Sequence, residues 1–138
     1  ATTRRQIYAT IFSSVSGTFT ADEEINQATT GAVAKVIEFD STNKILYYYQ
    51  TRFPDVGTDT NGNLTAISGA NAITGQSSSA SATPNTSSSA TVNGVTFASG
   101  YANPELAYDS GDIIYVEERS PITRASDQTE NVKLIIEF

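Results

Sequence analysis

Two segments of alternating residues, separated by a short polar turn, constrain the fold of this chain more than any other feature. The first, residues 32–39, places Val33, Lys35, Ile37 and Phe39 on one face; the second, residues 44–51, opposes Ile45, Tyr47 and Tyr49 to Leu46 and Tyr48. A period of two residues indicates a β-strand. The four residues between the segments, 40–43, are Asp, Ser, Thr and Asn, whose side chains bond their own backbone in turns. The pattern predicts an antiparallel hairpin.

Other short segments extend this β-pattern along the chain. Alternation predicts strands over residues 5–12, 113–118 and 132–138, and Asn93-Gly94 predicts a tight turn between two short strands in residues 92–97. Residues 20–23, Thr-Ala-Asp-Glu, have the form of a helix capping box, which predicts one or two helical turns over residues 25–28. The expected fold is all-β, an antiparallel β-sandwich or Greek-key barrel of six to eight strands with at most one short helix. We expect the first and last strands to lie near each other in the core.

The chain has the size of one domain. Its 138 residues suffice to bury a single core, and no second domain begins at any point along residues 1–138. Residues 68–91 are rich in Ser, Ala and Thr with little to bury beyond Ile73, which predicts a long loop that is mobile or ordered by a partner. Because the chain contains no methionine, we expect it to be a fragment of a longer polypeptide.

Composition excludes several classes of function. The chain has no cysteine and no histidine, so it lacks thiolate chemistry, the commonest general base and the commonest transition-metal ligand. Its net charge of −7 does not fit nucleic acid binding, and no apolar run is long enough for a membrane span. No cofactor or phosphate-binding motif is present, and the paired acids Glu117 and Glu118 point to opposite faces of a strand. We therefore expect no enzymatic activity, no cofactor and no metal site.

A charged corner near the end of the chain is the candidate site. It lies between the two last predicted strands and combines Glu117, Arg119, Pro121, Arg124, Asp127, Gln128 and Glu130. One interpretation is an exposed ion-pair network that holds the crossover, with each pair contributing about 0–1 kcal/mol. The other is a subunit interface in which arginine–carboxylate pairs fix the orientation of a partner.

The last part of the chain resembles a known family. The motif is Ser110-Gly111-x-x-Ile114-Tyr115-x-Glu117-x-Arg119-x-Pro121-Ile122, followed by Asp127-Gln128-Thr129-Glu130 and a terminal Phe138. It is similar to the C-terminal end of the baseplate wedge subunit, gene product eight, of T4-like contractile-tailed phages. Arg5-Gln6-Ile7 resembles the segment that opens the last lobe of that protein, and the middle of the chain resembles the marine cyanophage branch. The serine-rich tract of residues 77–89 matches no motif of the family.

The resemblance implies a structural role. It implies an all-β lobe of a dimeric subunit that joins other baseplate wedge proteins, with no catalysis, cofactor, nucleic acid or membrane. The implied location is the virion, in a tail baseplate assembled in the host cytoplasm.

A different class of function is a glycan- or receptor-binding β-sandwich module of a phage tail fibre, with the tyrosines of residues 47–49 as a stacking platform. A third possible function is that of a capsid decoration domain. A concave groove that gathers tyrosines with acids and amides would favour the binding module, and tyrosines inside a sheet core would favour the structural protein.

Overall fold

The structure is a computed structural model that describes residues 4–50, 64–106 and 115–118. These residues form nine β-strands: β1 Tyr8–Ser16, β2 Glu24–Gln27, β3 Val33–Asp40, β4 Ile45–Tyr49, β5 Ile73–Gly75, β6 Ser81–Pro84, β7 Thr91–Val92, β8 Val95–Thr96 and β9 Tyr101–Ala102. No helix occurs in the described ranges. The predicted all-β class is confirmed.

Seven strands form one antiparallel sheet whose hydrogen bonding nearly closes into a ring. The order is β4-β3-β2-β5-β6-β1-β9, and β1 also pairs with β4. Strand β1 makes this possible because it forms hydrogen bonds along both of its edges. On one edge the Ile11 amide donates to Gly100 O, and the Ile11 carbonyl accepts from the Asn85 amide. On the opposite edge the Phe12 amide donates to Lys44 O. The meander β2-β3-β4 with β1 beside β4 is a Greek key, so the barrel alternative describes this sheet better than two separate layers.

The inside of the ring holds the main core. Phe12, Ile25, Val36, Leu46 and Tyr48 are buried there. Aromatic rings fill one region of it: Phe19 stacks on Phe12 at 6.0 Å between ring centroids and meets Phe39 edge-on at 5.5 Å. Aromatic pairs in these geometries contribute about 0.5–1.5 kcal/mol beyond their buried area.

A second core lies on the outer face of β1 and β4, beneath the β7–β8 hairpin. Ala9, Ile11 and Ile45 pack there against Val95 and Phe97. β1 is therefore covered on both faces, which is why four consecutive residues, from Ala9 to Phe12, are buried instead of alternating.

The predicted β3–β4 hairpin and its turn are confirmed. Asp40 Oδ1 accepts hydrogen bonds from the backbone amides of Thr42 and Asn43, each at 3.0 Å. The predicted faces of β3 are only partly correct, because a bulge between Val36 and Glu38 interrupts the alternation. Val36 and Phe39 consequently both reach the main core, whereas Ile37 is 40% exposed.

The predicted helical turn at residues 25–28 is wrong, because residues 25–27 belong to strand β2 and Ala28 lies in the turn that follows it. The capping-box contact itself is present: the Thr20 amide donates to Glu23 Oε1 at 2.7 Å. The polypeptide then turns into an extended strand that pairs with β3 and β5. Ile25 and Gln27 enter the barrel in a period of two, and pairing along both edges outweighs the local helix signal.

The predicted loop over residues 68–91 is also wrong in part, because it contains β5 and β6, two members of the ring. Their small residues suit these positions: Ala80 and Ala82 are buried in the main core, and Gly17 lies so close to Ala80 that a Cβ there would be 3.1 Å from its Cα. The Asn93-Gly94 turn is confirmed, with φ of 48° and 76° at its two residues. Strand β1 begins and ends later than predicted, at Tyr8 and Ser16.

The C-terminal predictions are tested at few positions. Residues 115–118, which lie in the strand predicted over 113–118, form no strand and are exposed. The strand predicted over residues 132–138, and its expected proximity to the first strand, lie outside the described residues.

One buried polar atom on strand β2 has no hydrogen-bond partner among the described residues. Oδ1 of Asn26, on β2, is buried and accepts no hydrogen bond within the described structure. Since an unsatisfied buried acceptor is costly and valine favours strands, Asn26→Val is expected to raise the free energy of unfolding by about 1 kcal/mol. Urea unfolding of the two proteins measures the change. A loss of stability in the valine variant would show that the amide makes an interaction that the backbone of β2 needs.

Candidate functional site

A buried carboxylate, that of Glu23, joins two distant parts of the chain. Its Oε1 accepts hydrogen bonds from the Thr20 amide at 2.7 Å and from Ser78 Oγ at 2.8 Å. Its Oε2 accepts from the amides of Ser77 and Ser78 at 3.2 and 2.9 Å. The start of the serine-rich tract is thus folded as a tight turn around one acidic side chain. Gly75 leaves the space for it, because a Cβ there would lie 2.6 Å from Oε2.

The electrostatics of Glu23 identify a structural group rather than an acid–base catalyst. Burial by itself raises the pKa of this carboxyl, but the hydrogen bonds from Ser78, Thr20 and Ser77 outweigh it and lower the pKa below the ordinary value of 4.5. The side chain is 4% exposed, and four donors surround it. A carboxylate held in this way stays ionised and stabilises the fold.

The described residues contain no group of three or more His, Cys, Asp or Glu that could hold a metal ion. A helix long and apolar enough to cross a membrane is likewise absent from the part of the chain that the structure describes.

Four of the six described tyrosines, Tyr8, Tyr47, Tyr48 and Tyr101, occupy packing positions. Tyr48 is buried in the main core and stacks on Tyr8, with 5.6 Å between ring centroids; burial raises its pKa far above the ordinary value of 10. Tyr47 packs against the second core, and Tyr101 donates its hydroxyl hydrogen to Gly69 O at 2.6 Å. Among the described residues, this is the arrangement expected of a structural protein, not of a stacking platform.

Arg5 ties the start of the described chain to the segment after β9. Its carbonyl accepts from the Glu105 amide at 2.8 Å, and its own amide donates to Glu105 Oε2 at 2.8 Å. Its guanidinium donates to the carbonyls of Ile7, Ala102 and Asn103. The pairing of β1 with β9 therefore continues beyond both strands, and Arg5 uses its donors within this contact.

A surface cavity of about 320 Å³ lies between this contact and the β7–β8 hairpin. Arg4, Arg5, Asn103 and Glu105 line it together with residues 94–96 of the hairpin. Arg4 forms an ion pair with Glu105 at 3.6 Å in which both side chains are exposed, at 59% and 44%. The Arg5 amide, together with the charge of Arg4, holds the pKa of Glu105 below its ordinary value.

We call this cavity the β8 slot. Sequence analysis did not identify it, because its arginines and Glu105 are about a hundred positions apart. The signal that could have found it is the Arg4-Arg5 pair, which is unusual in a chain with only eight basic residues.

The predicted interface corner is described at one of its seven positions. Glu117 lies in residues 115–118, an exposed segment in which Tyr115 and Val116 are 78% and 74% exposed. Arg119, Pro121, Arg124, Asp127, Gln128 and Glu130 lie outside the described residues.

Comparison with protein-family models finds a match to part of the chain. Residues 76–138, a little under half of the chain, match the family model described as Bacteriophage T4, Gp8. The match includes residues 110–138, on which the resemblance to gene product eight rests, and also the serine-rich tract, for which no counterpart was recognised. Neither the curated proteins nor the solved structures contain a match to the chain. The Gp8 family consists of structural baseplate proteins rather than enzymes, so the second half of this chain is similar to a phage baseplate component.

Proposed function

We propose that this chain is a non-enzymatic structural subunit of a phage tail baseplate wedge, which acts by binding other wedge proteins and a second copy of itself. The observation that carries the proposal is the match of residues 76–138 to the Gp8 family. The proposed location is the virion, and the resemblance of the middle of the chain favours the cyanophage branch of the family.

The described structure is compatible with this role. Its buried carboxylate is used for hydrogen bonds within the fold, and four of its six described tyrosines pack in or over the two cores. The −7 net charge keeps such a protein soluble before assembly. A subunit of this kind needs a stable body and exposed contact residues, and exposed apolar side chains are present at Tyr115 and Val116.

The direct test is co-assembly. The purified chain, mixed with the other wedge proteins of a phage that encodes it, is expected to sediment with the wedge complex in a density gradient. Free sedimentation of the chain, with the remaining proteins forming a complete wedge, would contradict the proposal.

A second test addresses the charged corner. If the corner is an interface, Arg119→Ala is expected to weaken co-assembly about tenfold or more while lowering the melting temperature by no more than a few degrees, because truncating a paired interface charge leaves its partner unpaired. Lys35→Ala removes a cation from the outer face of β3 and serves as the matched control. Parallel losses of melting temperature and assembly in the Arg119 variant would mark the corner as a structural ion-pair network instead.

A further inference from the structure

The β8 slot is bordered by an open strand edge. In the β7–β8 hairpin the Phe97 amide donates to Ala90 O at 3.0 Å, which makes Thr91 and Thr96 a non-hydrogen-bonded pair. Their side-chain hydroxyls lie 2.9 Å apart across the two strands. The backbone N–H and C=O of Thr96 therefore point away from β7, and neither bonds to another described residue. Thr96 is exposed and lines the slot.

An open edge of this kind accepts an extended polypeptide. In strand addition, a segment of another protein lies along a sheet edge: its backbone supplies the hydrogen bonds, and its alternate side chains supply specificity. A protein segment presents N–H and C=O groups at the spacing of a strand, so the outward groups of Thr96 favour a protein as the ligand of the slot.

The charge of the slot selects an acidic segment. Two arginines against one glutamate give the residues that line it a net charge of +1, whereas the whole chain carries −7. The slot is thus a basic place on an acidic protein. Because opposite potentials steer partners together and like charges repel them, an acidic segment is favoured here over a basic one.

Glu105 shows how the slot holds a carboxylate. Its Oε2 accepts the Arg5 amide at 2.8 Å, and its Oε1 lies 3.6 Å from Arg4 Nη1. The contact with Arg4 is long and exposed, so breaking it costs little. Arg4 can therefore turn to an incoming carboxylate while Glu105 keeps the Arg5 amide. The guanidinium of Arg5 is held in place by three backbone carbonyls.

We propose that the β8 slot binds an extended, acidic segment of another wedge protein as an added β-strand beside Thr96, with a carboxylate of that segment paired to Arg4. Since successive residues of a strand face opposite sides, acids at alternate positions of the partner reach the arginine side of the slot. The identification of the partner as a wedge protein rests on the proposed function.

The test is hydrogen exchange of the Thr96 amide, measured in the free 138-residue chain and in the chain co-assembled with the other wedge proteins. We expect fast exchange in the free chain and exchange slowed about tenfold or more in the assembly, because strand addition gives this N–H an acceptor. Slow exchange in the free chain would show that the chain occupies its own edge, and protection that rises with the concentration of the chain alone would assign the edge to a second copy. Either result overturns the inference.

Thr96→Pro removes the N–H that points outward from β8. It is expected to weaken binding about tenfold or more, because proline cannot donate to an added strand. Thr91→Pro is the matched control. It removes the outward N–H of β7 and the same pair of hydroxyls, but Thr91 does not line the slot, so binding should be unchanged. Equal losses in the two variants would show that the hairpin, and not its edge, is needed.

A synthetic peptide tests the chemistry of the slot without the wedge. Acetyl-Thr-Val-Glu-Val-Glu-Val-Thr-amide is expected to bind and to protect the Thr96 amide, and its affinity should fall with salt. The analogue with lysine in place of both glutamates is expected to bind about tenfold more weakly or less. Arg4→Glu should reverse this preference, whereas Lys35→Glu, an equal charge reversal outside the slot, should leave it unchanged. Thermal melting checks that each variant is folded.

The inference and the proposed function fail separately. A chain that joins the wedge with the Thr96 amide still exchanging fast removes the strand-addition site alone. A chain that binds the acidic peptide at Thr96 but joins no wedge removes the baseplate role alone. A peptide that does not bind at about 1 mM, or that binds equally well with lysines, overturns the inference.

Discussion

Replacing Gly100 with alanine is expected to lower the free energy of unfolding by about 3 kcal/mol or more, because the added methyl group meets both an unfavourable φ and a close backbone contact. Gly100 has a φ of 81°, a conformation that costs other residues about 1–2 kcal/mol. An added Cβ would also lie 2.5 Å from Asn85 O and 2.8 Å from Asn85 C. These are backbone atoms, so no side-chain rotation relieves the overlap.

The surrounding hydrogen bonds prevent the backbone from moving aside. The Asn85 amide donates to Ile11 O at 2.8 Å, and Gly100 O accepts from the Ile11 amide and from Thr10 Oγ1, each at 3.0 Å. Both sides of the overlap are thus bonded to the same strand, β1. Moving Gly100 and Asn85 apart would break these hydrogen bonds at the position along β1 where its neighbouring strand changes from β9 to β6.

Gly94→Ala is the matched control for this prediction. Gly94 has a φ of 76°, but nothing lies within 4 Å of its added Cβ. Its substitution therefore isolates the conformational cost, expected at about 1–2 kcal/mol. Urea denaturation of both variants gives the comparison, and equal losses at the two positions would show that the contact with Asn85 relaxes at little cost.

Glu23→Gln is expected to cost about 2–3 kcal/mol at neutral pH, although glutamine has nearly the same shape. The carboxylate accepts three backbone amides and one hydroxyl, whereas an amide group has one accepting oxygen and would turn its NH₂ toward other donors. Two parts of the chain, the residues before β2 and the turn between β5 and β6, would lose their shared anchor. Glu24→Gln is the control, because the Glu24 carboxylate accepts no hydrogen bond from a described residue.

The same residue predicts a pH dependence with a definite sign. Folding lowers the pKa of Glu23 below 4.5, so the unfolded chain binds this proton more readily than the folded chain. The stabilisation is complete above pH 4.5 and is lost as the pH falls through the lower pKa of the folded state. The difference in unfolding free energy between the native chain and Glu23→Gln should therefore shrink as the pH falls from 6 toward 3. A difference that stays constant would show that the carboxylate is not ionised in the fold.

The sequence predicts local features well where neighbouring residues control the structure. The β3–β4 hairpin follows from alternation on both sides of four turn-forming residues, and the Asn93-Gly94 turn follows from two residues that accept positive φ. The resemblance in residues 110–138 similarly depends on residue order alone, and the family match covers the same stretch.

The same difference between local and long-range features applies to the candidate sites. The charged corner could be proposed because its residues are close in sequence, and six of its seven members lie outside the described residues. The β8 slot could not be proposed from the sequence, because Arg4 and Glu105 meet only through the β1–β9 pairing.

The sequence by itself predicted an all-β, acidic chain that contains neither cysteine nor histidine, since composition and the two-residue period are local properties. Only the tertiary structure decided that residues 25–27 belong to a strand and that residues 68–91 supply two more. In both places the deciding interactions join residues far apart in sequence: β2 pairs with β5, and Glu23 bonds to Ser77 and Ser78. A buried carboxylate that must find donors, and strand edges that must find partners, outweigh local preference because an unsatisfied polar group in the interior costs more than an unfavourable residue in a strand.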